Sequence, residues 1–243
     1  TWLKWSGQSD TWDENNGSCA NYSGWWPPST KSSCQSSGGT WTVANHNNWN
    51  GCVTDRDQDY DTTSTAPSAS VSATLFPAQQ YDACPQQITP LTYDWTTLKN
   101  NVDAMQPNGG TNQSIGMAWA WLSLLQQAPL NAPAEDSNYK YSKVIILLSD
   151  GDNTQYRDPS YGNGQVQYDG KIDARQRLLC DNAKTAGIQI YTIQVNTAND
   201  NTSSVMSYCA SNSGTYFSTT TAAGISTAFS SIGSALSKLR IAK

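Results

Sequence analysis

The sequence predicts an α/β fold: a doubly wound, mainly parallel sheet with helices on both faces, plus a long irregular insertion stapled by disulfides. Three observations lead there. Val144-Ile145-Ile146-Leu147-Leu148 is a continuous apolar run, the pattern of a strand covered on both faces and therefore of a parallel sheet. Helix-like and strand-like segments alternate after it. Residues 1 to about 90 hold no sustained period of either kind and are dense in Gly, Ser, Thr, Asn, Pro and Trp.

The elements can be justified in order. Asp94 to Met105 sets Trp95, Leu98, Val102 and Met105 at helical spacing, and Pro107 ends that helix. After the turn Asn108-Gly109-Gly110-Thr111-Asn112, residues Gln113 to Gln127 carry Ile115, Met117, Ala118, Trp119, Trp121, Leu122 and Leu125, which makes a second, largely buried helix. The strand at Val144 follows. Ile172 to Ala186 reads as a helix stopped at Lys184-Thr185-Ala186-Gly187, and Ile188 to Val195 as the next buried strand, giving one βαβ unit. A short helix at Ser203 to Ala210, a strand at Thr215 to Ser218 and an amphipathic helix from Ala222 to about Leu239 continue the alternation. The expected division is 1–90 for the Trp- and Cys-rich insertion and 91–243 for the α/β portion.

Composition narrows the partners. With 37% hydrophobic and 14% charged residues, the chain can bury a core but must face water with neutral polar groups. Against 19 acidic residues stand 14 Lys and Arg, so no basic stripe exists to bind nucleic acid. No apolar run approaches the ~18–20 residues that span a bilayer. Six cysteines, at positions 19, 34, 52, 84, 180 and 209, lack the CxxC spacing of a zinc site and read as disulfides of an exported protein. Four cysteines in the insertion allow three connectivities. Pairing Cys19 with Cys34 and Cys52 with Cys84 closes the shortest loops; Cys180 and Cys209 are expected to pair because their helices can share one sheet face. Thr1, followed by no charged and apolar leader, is expected to begin a mature or cut piece.

Ligands of doubly wound sheets sit beyond the carboxyl ends of the strands. Asp150 stands there, followed by Gly151, Asp152 and Asn153, and Thr111 can present a hydroxyl beside it. A carboxylate with hydroxyls and waters suits a hard divalent cation, Mg²⁺ or Ca²⁺. Asp55, Asp57 and Asp59, with Asp61, form a DxDxD stretch that reads either as a Ca²⁺ loop or as a solvated acidic turn. Trp2, Trp5, Trp12, Trp25, Trp26, Trp41 and Trp49 are either the insertion's own core or a platform for sugar or partner, and the scarcity of aliphatics there favours the core. His46 is the single histidine and no G-x-S-x-G elbow occurs, so the chain is read as a binding protein and not an enzyme.

At Thr111 and Asp150 the sequence resembles the von Willebrand factor type A (VWA) domain, whose metal-ion-dependent adhesion site joins an Asp-x-Ser-x-Ser motif to a distant Thr and a distant Asp. Gly110-Thr111-Asn112 is similar to the Thr motif, and Val144 to Gly151 to the Asp motif. A wider resemblance, through Gly51-Cys52-Val53-Thr54-Asp55-Arg56-Asp57-Gln58, Thr74-Leu75-Phe76-Pro77-Ala78, Ile172-Asp173-Ala174-Arg175 and Leu236 to Ile241, is to TadG-type proteins of bacterial tight-adherence (Flp) pili. That resemblance implies an exported adhesion or pilus-assembly protein at the periplasmic or extracellular surface of a bacterium. It also implies a protein partner from pilus or cell surface and a parent anchored in the membrane upstream of residue 1. No Asp-x-Ser-x-Ser occurs in the 243 residues. The family layout places that motif and the first strand before Thr1, so an associated upstream fragment, or a substitute segment, is expected to cover the strand at Val144. A carbohydrate-binding module built on the Trp-rich insertion is the alternative function.

Overall fold

The computed structural model describes residues 3–5, 12–80, 84–107, 110–154, 171–197 and 201–238. The chain divides into two compact units, the first formed by residues 1–61, 65–109 and 127–131 and the second by 62–64, 110–126 and 132–243. Trp2, the turn residues Asn108 and Gly109, and Leu239 at the expected helix end lie outside the described residues.

In the first unit short elements are held by side chains, as a segment with few aliphatics requires. They are β1 (Leu3–Lys4), α1 (Trp12–Asn15), β2 (Gly17–Ala20), α2 (Lys31–Ser36), β3 (Thr40–Val43), β4 (Phe76–Pro77) and α3 (Trp95–Asp103). β2 and β3 pair antiparallel with Cys19 opposite Trp41, and the Cys19–Cys34 disulfide ties α2 to this hairpin. Thr30 starts α2 through a reciprocal capping box with Ser33. Gly39 crosses the bridge so closely that a Cβ there would lie 2.6 Å from Cys19 Sγ, which restricts the position to glycine. Cys52 and Cys84 form the second bridge.

Tryptophans supply much of this unit's core. Trp12 is buried, Trp5 meets it edge-on at 5.5 Å, Trp49 meets Trp5 likewise, and His46 stacks on Trp5 at 4.1 Å. Each buried indole N–H needs an acceptor. Trp12 Nε1 donates to Gln80 Oε1 (3.2 Å), Trp41 Nε1 to the Asp13 carbonyl (3.1 Å) and Trp49 Nε1 to the Cys52 carbonyl (2.8 Å). Helix α3 behaves differently. Asp94 caps it by accepting from Thr97 N at 3.0 Å, yet α3 buries none of its side chains. Trp95, Val102 and Met105, the apolar face that helical spacing marks, are 72%, 62% and 58% exposed.

The second unit is the doubly wound part. Its elements are α4 (Gln113–Ser123), β5 (Val144–Ser149), α5 (Lys171–Thr185), β6 (Gln189–Val195), α6 (Ser204–Cys209), β7 (Tyr216–Thr219) and α7 (Ala222–Lys238). The strands form one parallel sheet in the order β5-β6-β7. Because side chains alternate along a strand, β6 feeds both faces. Ile190 joins Ile145 against Met117 and Trp121 of α4, Leu179 and Ala183 of α5, and Met206 of α6. Tyr191 and Ile193 pack on Ala228 and Ile232 of α7. Gly187, at φ +82°, ends α5 in the left-handed conformation and turns the chain into β6. α4 stops at Ser123, short of the expected Gln127.

Cys180 of α5 and Cys209 of α6 lie in the same buried cluster and are bonded, 29 residues apart. Closing a loop of that length in the unfolded chain is worth about 3–4 kcal/mol. The double substitution Cys180→Ala, Cys209→Ala is therefore expected to lower unfolding stability by about that amount in urea titrations, with a steeper slope because the uncrosslinked unfolded chain exposes more surface. A loss below about 1 kcal/mol would mean that packing and not the crosslink joins the helices.

Candidate functional site at the carboxyl end of β5

Strand β5 delivers Ser149 to the carboxyl edge of the sheet, and the chain leaves it through Asp150, Gly151, Asp152, Asn153 and Thr154. Beside it the Thr111-Asn112 turn opens α4, with Asn112 accepting from Ile115 N at 3.3 Å as the cap. Two backbone-anchored bonds lock the segments together: Thr111 N donates to Thr154 Oγ1 (2.9 Å) and Thr154 N to the Thr111 carbonyl (2.8 Å).

Underneath lies a closed network of buried amides. Gln113 N donates to Asn153 Oδ1 at 2.8 Å, and Gln113 Nε2 donates to the Gly151 carbonyl at 2.7 Å and Ser149 Oγ at 3.3 Å. Asn153 Nδ2 donates to Gln176 Oε1 (2.7 Å) and Asp173 Oδ1 (2.9 Å), while Gln176 Nε2 returns to Gln113 Oε1 (3.0 Å). Thus β5, α4 and α5 are joined at one point, and the loop bearing Asp150 is clamped on a rigid base. Motif reading sets Asn153 beside Asp150 but gives no role to Gln113 or Gln176. A signal for one of them exists: Gln176 sits between Ile172 and Leu179–Cys180 on the buried stripe of α5, a polar residue where the helical period calls for an apolar one.

Asp150 and Asp152 are exposed, and among the described residues neither forms an ion pair. Thr111 is half-buried in the turn just described. Ser114, on the first turn of α4, has a buried Oγ without a hydrogen-bond partner among the described residues. Thr111 and Asp150, the two expected ligands, therefore lie on segments that one network holds. Hard divalent cations take six or more oxygens. Among the described residues no group of three or more His, Cys, Asp or Glu could hold a metal ion. Thr111 and Asp150 together carry fewer side-chain oxygens than such a shell needs.

The acidic stretch Asp55 to Asp61 belongs to the first unit. Asp57 Oδ2 lies 2.8 Å from the buried Lys4 ammonium, and Thr54 Oγ1 donates to Asp55 Oδ1 at 3.1 Å. Arg56, buried over the Phe76 ring, donates to the Thr65 carbonyl. Burial pulls its pKa down to about 10 against the opposing pull of Asp61, so it stays charged at neutral pH. Asp57 and Asp61 thus offset buried cations of their own unit. Asp59, the third expected Ca²⁺ ligand, lies in the same stretch, and among the described residues no group of three or more His, Cys, Asp or Glu could hold a metal ion.

Breaking the network leaves buried amide groups unanswered, at about 1–3 kcal/mol. Asn153→Ala is expected to cost about 2–3 kcal/mol in urea unfolding, whereas Asp150→Ala, exposed and outside the network, is expected to cost less than about 0.5 kcal/mol. Equal losses would make Asp150 a structural residue.

The protein-family model that matches the chain is the von Willebrand factor type A domain, over residues 68–231. No curated protein and no solved structure matches it. VWA domains generally mediate protein interaction or adhesion, and they commonly bind a divalent cation. The disulfides together with this domain point to an extracellular or secreted protein. The match spans more than half of the 243 residues, and with the parallel β5-β6-β7 sheet, whose central strand β6 is packed on both faces, it shows that the chain belongs to the VWA domain family.

Proposed function

We propose that this chain is an exported, bacterial adhesion or pilus-assembly protein of the TadG kind, which binds a protein partner at the carboxyl end and outer edge of β5. The observation that supports the reading best is the condition of β5 itself. Its sequence is that of an interior strand, yet among the described residues it pairs with β6 alone, and Ile146 and Leu148 are 37% and 45% exposed. Unpaired N–H and C=O groups beside an apolar face invite another strand. Asp150 and Thr111 stand at the end of that edge. The partner segment best suited to it is an extended apolar strand, from the same parent protein or from a pilus or surface component, placed so that its own polar groups meet Asp150.

A divalent cation at this end would be held by Thr111 and Asp150, and water or an acidic group of the partner would complete its oxygen shell. Such an ion makes affinity depend on its presence. The reading is of binding and not of catalysis, because His46 serves the tryptophan packing, stacked on Trp5 with its Nε2 2.6 Å from Asp13 Oδ1.

Two outcomes follow. An ion present at about ten times its Kd stabilises the fold by about 1.4 kcal/mol, or roughly 3 °C for a chain of this size. Mg²⁺ or Ca²⁺ is expected to raise Tm by about that much relative to EDTA, and Asp150→Ala to abolish the rise; melts indifferent to all three conditions would remove the ion from the account. In the source bacterium, Asp150→Ala with unchanged export is expected to lose surface attachment. Normal attachment by that strain would overturn the adhesion reading.

A further inference from the structure

Among the described tryptophans of the first unit, Trp5, Trp12, Trp41 and Trp49 take part in packing or hydrogen bonds, Trp95 stands exposed on α3, and Trp25 and Trp26 stand exposed side by side. Trp25 is 99% exposed and Trp26 85% exposed, adjacent in the chain, in a unit where Trp12 is fully buried and the indoles of Trp41 and Trp49 are tied to backbone carbonyls. Isolated exposed apolar residues are ordinary; two neighbouring indoles with almost no cover are not.

The loop that carries them is fixed. Ser23 N donates to the Ser37 carbonyl at 2.9 Å, Asn21 and Gly24 take φ of +56° and +145°, and Pro27-Pro28 restrict the chain leading to the capped start of α2. The Cys19–Cys34 bridge closes the base of the same excursion. A backbone held this way loses little freedom on binding, which is the physical advantage of a preorganised loop.

The surroundings decide the ligand. Residues 16–54 contain one Lys, one His and no acidic residue, among many Asn, Ser, Thr and Gln. A nucleic-acid strand stacks on aromatics but also requires cations along its backbone, and Lys31 is the single permanent one. A lipid surface takes up a broad apolar face with a basic rim. Here the indoles are flanked by Asn21, Ser23, Ser29 and Thr30, whose polar groups would have to enter hydrocarbon. Neutral sugars match both features, since pyranose C–H faces pack on indole rings and their hydroxyls exchange hydrogen bonds with amides and side-chain hydroxyls.

We infer that Trp25 and Trp26 form a binding site for neutral polysaccharide, of the class whose pyranose rings carry mainly equatorial hydroxyls and so present flat apolar faces. This site needs no metal and is independent of the strand-end reading above.

The test is affinity electrophoresis of the intact chain in gels containing hydroxyethylcellulose or glycol chitin, with intrinsic fluorescence titrations against cellohexaose and chitohexaose. Trp25→Ala, Trp26→Ala and the double variant are compared with the parent, and near-UV circular dichroism confirms that the buried tryptophans are undisturbed. The parent is expected to be retarded equally with and without EDTA, and the double variant to bind about tenfold more weakly or worse. The proposal is overturned if no neutral polysaccharide retards the parent, if the double variant is retarded equally, or if the indoles bind only phosphatidylcholine vesicles or a protein.

Discussion

A buried primary amide left without partners is costly, and the carboxyl end of β5 answers three of them with one another: Gln113, Asn153 and Gln176. The rest of the second unit is arranged around that closure. It fixes the start of α4 against the loop after β5, it draws α5 onto the same point, and it leaves Asp150 and Thr111 as a presented surface. Without it the Asp150 loop would be a free excursion and Thr111 an ordinary residue before a helix. A short ring of bonds thereby converts the end of an apolar strand into a defined, rigid edge, the condition for any adhesion surface whose ligand must be met with correctly placed oxygens.

The sheet imposes the second constraint. β6 is satisfied on both edges and both faces, by β5 and β7 and by the helices around Met206 and Ile232. β5 has the same apolar composition with half the cover. That mismatch between what its sequence is built for and what surrounds it carries the functional reading, and it owes nothing to a motif. The exposed apolar face of α3 in the other unit, with Trp95, Val102 and Met105 in water, has the same character.

Much of the fold was legible because the apolar pattern and the stop signals agreed. Val144 to Leu148 and Ile188 to Val195 read as interior strands, Gly187 marked the turn between α5 and β6, and the two cysteines expected to share a sheet face do so. Helical spacing found α3 but gave no reading of its environment, since periodicity reports which face is apolar and not whether anything covers it. The tryptophans show the same limit. Trp12 and Trp25 are identical in composition terms, yet one fills a core and the other stands free, a difference fixed by local bonds such as Ser23 to Ser37. The segments bearing Thr111 and Asp150 were visible through their motifs. The amides that hold the two segments were not, because their partners are distant in sequence and only Gln176 breaks a pattern.

Amide hydrogen exchange along Val144–Ser149 tests the central claim, that β5 offers a free edge for a partner strand. In a parallel strand successive residues direct their N–H groups to opposite sides, so the amides facing β6 should be protected in the free chain and the alternate ones should exchange rapidly. Binding of the partner should slow that alternate set. Strong protection of all six amides in the free chain would contradict the account, because it would show the edge already filled.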